Sequence, residues 1–315
     1  MKKQRYPRLL ALSLALLLLC GCLPVGEVDK SKTYVTVTDD GGTTEDVPRS
    51  PARVAVLFSS LADLWTLAGG EVAITVGETV ERGIVPEGVL LVDAGAGKTV
   101  NTELLLSAGA DLIIGSADVA AHVECVALAR RVGIPAVLFR VESFDDYLRV
   151  LGVMTALTGD TAAYETYGLA LQTRIDALLN AERPNDAPRV LFLRAGSSAR
   201  STKAKNADGH FAAAMLDELG AMNIADEAPI LIDTLSIEAI LASDPDYILI
   251  TTMGDEAAAR AYIETLLDEP TWQSLSAVQE GNVHILPKEL FQYKPCAAWY
   301  EAYEYLSELI NETNE

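Results

Sequence analysis

The chain has 315 residues, half of them hydrophobic, and a formal net charge of −21. That length allows two domains of ordinary size, and that hydrophobic content argues against disorder outside the ends. So acidic a chain repels nucleic acid and an anionic membrane face, and an anionic ligand must be met by a local cluster of positive charge.

Residues 1–8 are basic, and Leu9 to Leu19 is apolar apart from Ser13. The run is too short to span a bilayer and reads as the hydrophobic region of a secretory signal. It ends in Leu19-Cys20-Gly21-Cys22, which resembles a bacterial lipobox. The resemblance implies a signal peptide over residues 1–21, lipidation of Cys22 and a polar tether over 22–33; an ordinary secreted product is the alternative. Removing Lys2, Lys3, Arg5 and Arg8 takes the charge from −21 to −25. Cys125 and Cys296 remain, in opposite halves. They are either a disulfide locking the halves or two separate buried thiols, the commoner state for isolated cysteines.

Residues 34–143 read as an α/β unit. Tyr34 to Thr38 alternates and is β-branched, so it predicts a strand, a turn at Asp39-Asp40-Gly41-Gly42 and a short return strand. Arg53 to Leu57 predicts a buried strand with Phe58-Ser59-Ser60 at its carboxyl end and a helix from Leu61 to Ala68. In open α/β sheets ligands sit beyond the carboxyl ends of strands, which makes Phe58 and Ser59 candidates for contact. A packed Phe before an N-cap serine explains the same residues equally well. Further strands are expected at 72–76, 112–114 and 134–139. The Gly-rich piece ending in Lys98 lacks phosphate-loop spacing, but Lys98 is a candidate cleft residue. Strands interleaved with helices imply a parallel, helix-covered sheet.

Residues 144–183 carry helical periodicity: Phe144, Tyr147, Leu148 and Leu151, a break at Gly159-Asp160, then Ala163, Tyr164, Tyr167, Leu171, Ile175 and Leu178. Pro184 and Pro188 end it. Residues 184–315 then repeat the first plan. Glu103 precedes Asp111-Leu112-Ile113-Ile114 at the spacing by which Glu238 precedes Asp246-Tyr247-Ile248-Leu249, although short helix then buried strand recurs in any α/β protein. The strand at 189–194 runs into a loop where Arg194, Arg200, Lys203 and Lys205 crowd four cations into an acidic protein. With Ser198 they are read as an anion-binding wall, against the alternative of a solvated loop. Strands follow at 245–250 and 282–287. Phe291 to Pro295 is placed over the same cleft, with Phe291 and Tyr293 as stacking candidates. Trp299 is read as core, and an amphipathic helix from Ala297 to Ile310 closes the chain.

The order of elements carries a resemblance. Ala52-Arg53-Val54-Ala55-Val56, the Glu-Leu-Leu unit at 103–105 with Ala110-Asp111-Leu112-Ile113-Ile114, the joining helix, Leu219-Gly220-Ala221-Met222-Asn223-Ile224-Ala225-Asp226, Ser236-Ile237-Glu238-Ala239-Ile240, and Trp272-Gln273-Ser274-Leu275 before Gly281-Asn282-Val283 resemble, together, the substrate-binding proteins of ABC importers for iron–siderophore complexes, haem and cobalamin. The resemblance implies two Rossmann-like α/β lobes with mainly parallel sheets, bridged by a single long helix and clasping the ligand between them. It implies a lipid-anchored monomer on the outer face of the cytoplasmic membrane that passes an anionic metal chelate to an ABC permease. Glu103 and Glu238 match the family's permease-docking glutamates; a carboxylate favoured by the helix dipole is the alternative. No catalytic motif, cofactor or bare-metal ligand set is present in the sequence. The competing classes are a surface reductase or chelatase, and an adhesive or sensory domain.

Overall fold

A computed structural model describes residues 33–93, 99–181 and 187–311. The expected signal, Cys22, Lys98 and the tether up to residue 32 lie outside the described residues.

The chain opens with an antiparallel hairpin, β1 (Tyr34–Thr38) on β2 (Thr44–Pro48). Asp39 closes its turn, accepting from the backbone of Gly41 and Thr43. The same buried carboxylate takes the Arg130 guanidinium at 2.6 Å, which ties the hairpin to the lobe behind it. β3 (Val54–Val56), β4 (Val72–Thr75), β5 (Leu90–Leu91), β6 (Leu112–Ser116) and β7 (Ala136–Phe139) then form a parallel sheet in the order β5-β4-β3-β6-β7. Both of its faces are covered, so its strands are apolar on successive residues. Val54 and Val56 point to one core and Ala55 and Leu57 to the other, as strand alternation requires.

The second lobe repeats the plan. β8 (Arg189–Ala195), β10 (Met222–Asn223), β11 (Tyr247–Thr252) and β12 (Val283–Ile285) pair in parallel in the order β10-β8-β11-β12. One element was not expected. Within the basic loop, β9 (Lys203–Ala204) turns back and pairs antiparallel with the end of β8.

The connection between lobes is helical but doubles back. The helix Phe144–Thr158 is capped by Ser143 and ends at Gly159, whose φ of +87° is the left-handed turn that glycine adopts without strain. A second helical stretch over 161–179 then returns along the first, with a π-helical segment at Glu165–Leu169. Tyr147 donates from the first arm to the Tyr167 carbonyl of the second at 2.8 Å. Gly168 permits this approach, because a Cβ there would lie 3.2 Å from a Leu148 methyl. One core runs through this pair into both lobes, joining Val56, Tyr147, Leu171, Phe192, Phe211 and Trp299. The terminal helix Trp299–Asn311 seals it with Trp299, Ala302, Tyr303, Leu306 and Ile310, a helical apolar stripe.

Candidate functional site

The carboxyl ends of β3, β6 and β7 meet the segment 292–296 of the second lobe around a cavity of about 100 Å³. Phe58, Ser116, Asp118, Val119 and Glu142 line it from the first lobe, and Lys294 and Cys296 from the second. Ser60 makes two of the contacts that bring the lobes together here. The Lys294 amide donates to Ser60 Oγ at 3.3 Å, and the Cys296 thiol to the Ser60 carbonyl at 3.4 Å. Cys296 and Cys125 are both buried free thiols, so the lobes are not joined by a disulfide.

A cation that sequence reasoning missed anchors this seam. Arg82 donates to Ser59 Oγ at 3.0 Å and Ser60 Oγ at 3.3 Å, pairs with Asp63 at 3.4 Å, and stacks 4.2 Å over the Tyr293 ring. Burial pushes the Asp63 carboxyl up, and Arg82 pulls it back. Ser59 is fully buried and donates to Glu78 at 2.5 Å, so its hydroxyl is spent inside the lobe.

The second lobe carries a basic cluster near Lys294. Arg194 and Lys203 are paired across β8 and β9, and Lys205 follows one strand repeat later. Burial lowers the Lys205 pKa, and the charges of Arg194 and Lys203 lower it further. Lys294 lies within reach of the same field. Its pKa is held down by burial and, to a lesser extent, by Arg194, while Glu142 at 2.7 Å opposes both. His210 caps the helix Phe211–Glu218, stacks on Phe211 and meets Phe192 at a tilt. Burial, then the charges of Lys294, Arg194 and Lys205, hold its imidazole well below the usual range, so it is neutral. Such mutual repulsion is what an anion would relieve.

The expected site residues therefore separate. Phe58 lines the cavity. Arg194, Lys203 and Lys205 form one electrostatic group, which reaches Lys294 through Arg194. Arg200 and Ser198 are exposed beyond the strand end, where Ser198 closes a capping box with Ser201. Phe291 is a correction: it is fully buried against Tyr305 and cannot reach a ligand. Ser59 and Tyr293 lie in the Arg82 seam rather than on the cavity surface. Asp118, Val119, Glu142 and Lys294 were missed, although Asp118 follows a strand end and Lys294 sits in the segment read as covering the cleft. Glu103 and Glu238 are exposed in the first turns of the helices Thr102–Ser107 and Ile237–Ser243, whose N-caps are Asn101 and Ser236.

His122 lies beneath this surface. It is fully buried, accepts from the Ser116 amide at 3.2 Å through Nδ1, and meets Phe58 edge-on at 6.3 Å. Its Nε2 has no partner, and burial lowers its pKa to about 4. The unfolded chain therefore binds a proton near pH 6.5 that the folded chain refuses until about pH 4. Stability contributed by this group is complete above pH 6.5 and falls as pH drops towards 4, by roughly 3 kcal/mol. Urea unfolding across that range should show this slope, and His122→Asn should flatten it; an unchanged slope in the variant would assign the acid sensitivity to other groups.

Two covered α/β sheets joined by one helical connection, with a cavity where they meet, are the architecture of a solute-binding protein of the two-lobed kind. A profile of the family described as periplasmic binding protein matches residues 54–290, and the chain belongs to that family. Among solved structures it is similar to the periplasmic haem-binding protein RhuT of Roseiflexus sp. RS-1, with a TM-score of 0.67 and 18% identity over 84% of this chain and 99% of that one. It is similar to the vitamin B12 binding protein BtuF of Vibrio cholerae, with a TM-score of 0.67 and 19% identity over 84% and 98%. A possible iron-binding protein from Staphylococcus epidermidis gives 0.68 and 18% over 84% and 100%. At these identities the likeness carries the fold. No curated protein sequence matches the chain.

Proposed function

We propose that this protein is the lipid-anchored receptor of an ABC importer and captures an anionic metal chelate of the iron–siderophore type. The observation that supports the cargo class is a run of cations: Lys203 and Arg194 act on Lys205, and Arg194 acts on Lys294, which lines the interlobe cavity. In a chain of net charge −21, a cluster of that sign needs a reason, and an anion in the cleft supplies one. Haem and cobalamin, which the similar proteins named above bind, are the alternatives within the class.

Thermal unfolding of the protein with ferric siderophores, haem and cobalamin tests this. A cargo at 100 times its dissociation constant should add about 2.7 kcal/mol of stability. A response to none of them would sink the chelate reading. Glu103 and Glu238 are proposed to meet the permease. Glu103→Ala with Glu238→Ala should leave cargo affinity unchanged and lower uptake by at least about tenfold, the loss of one charge-assisted pair. Full uptake by the double variant would remove the docking role.

A further inference from the structure

The cavity beside the basic wall is not only a widening of the cleft. Its half-buried lining residues Phe58, Val119 and Lys294 mark a mouth. From there it runs between the helices 59–67 and 144–158 to Leu64, Phe139 and Tyr147, each at most 1% exposed. The deep end is apolar, because the Tyr147 hydroxyl is turned away to the Tyr167 carbonyl. Protein cores hold few voids larger than a water, and an empty apolar one forfeits dispersion contacts. An apolar cavity of roughly 150 Å³ stays dry and takes up benzene. At about 100 Å³ and open at its mouth, this one takes most of such a ring and leaves the ring's polar substituent outside.

The mouth says what that group carries. Asp118 is held by Arg140 at 2.6 Å, and Glu142 by Lys294 at 2.7 Å. Both acids are thus already paired. The cation placed over the opening is Lys294, whose ammonium also lies 4.6 Å above the Phe211 ring. An arriving carboxylate competes with Glu142 for it.

We propose that this cavity is a subsite for one small apolar side group of the cargo, a single ring or a branched alkyl of similar size, which adjoins a carboxylate or phenolate that draws Lys294 from Glu142. The subsite rests on the reading of the cleft as the cargo site, but it can be probed without the cargo. Titration calorimetry of the full-length protein with benzoate and acetate is the test. Benzoate should bind at least about tenfold more tightly than acetate, since the ring adds buried apolar area. Val119→Phe, which fills the mouth, should abolish that preference. Lys294→Met should weaken benzoate about tenfold and leave benzyl alcohol unchanged. Glu142→Gln frees Lys294 at a half-exposed position and should tighten benzoate severalfold. It carries the test should Val119→Phe fail to fold, and unchanged affinity in it overturns the competition. Equal affinity for the two acids in the wild type overturns the subsite, even where a chelate binds. Ring-selective binding that Val119→Phe removes upholds it, even where no chelate binds and the cargo reading fails.

Discussion

Reversing Arg194 and Lys205 to glutamate together should weaken binding of an anionic chelate by about 100-fold or more. Each supplies a charge-assisted contact of about 1.5–3 kcal/mol, and two of them reach that factor. The fold should not suffer. Arg194 is exposed, and Lys205 sits in a field of like charge from Arg194 and Lys203. Replacing two of those cations with acids turns repulsion into attraction towards Lys203 and Lys294, so the ligand-free variant should melt at or above the wild-type temperature. Affinity and stability therefore move in opposite directions. A variant that lost both would mean the cations hold the fold rather than the ligand. A variant that kept its affinity would leave the wall without a part in binding. Salt gives an independent check, because an electrostatic contact at a partly exposed wall weakens as ionic strength rises.

The parts of this fold that were legible in the sequence share one property: their signal is periodic. Val54-Ala55-Val56 and Leu191-Phe192-Leu193 are apolar on successive residues because both faces of their sheets are covered. Trp299, Ala302, Tyr303 and Leu306 recur at helical spacing and do face the core. The break at Gly159 was visible too. That the second arm folds back was not, since periodicity fixes which face is buried and says nothing of direction. It took Gly168, where a Cβ would press on Leu148, to let the arms close this tightly.

The site was less legible because proximity across lobes has no sequence period. Arg82 follows a short helix far from any cation and meets Tyr293 only in three dimensions. Phe291 and Tyr293 both have the sequence character of cleft aromatics, but the chain between them turns one ring into the core and the other under Arg82. Lys294 lies in the segment expected to cover the cleft, beside aromatic residues that carry the stronger sequence signal. Its role becomes visible only once Glu142 is seen 2.7 Å away on the other lobe.

Trp299→Ala should be the most damaging single core change, costing about 3–5 kcal/mol. The indole is fully buried. It meets Phe144 at 5.9 Å, Tyr147 at 6.0 Å and Phe211 at 5.8 Å between ring centroids, two of the three edge-on. Phe144 and Tyr147 belong to the helix that follows β7, and Phe211 to the second lobe, so this one side chain is shared by both halves of the core. Aromatic pairs of this geometry add about 0.5–1.5 kcal/mol beyond their buried area. Against this, the indole Nε1 is buried without a partner, and an unpaired donor costs about 1–3 kcal/mol. Trp299→Phe removes that donor while keeping an aromatic ring in place, so its net change should stay within about 1.5 kcal/mol. The two substitutions thus separate packing from polarity at one position. Urea unfolding reads both: the wild type should unfold in one transition because its core is continuous, Trp299→Phe should keep a similar midpoint, and Trp299→Ala should fall well below it. A loss of less than about 1 kcal/mol in Trp299→Ala would be typical of an ordinary substitution and would show that the lobes are held by the helical connection rather than by the aromatic junction.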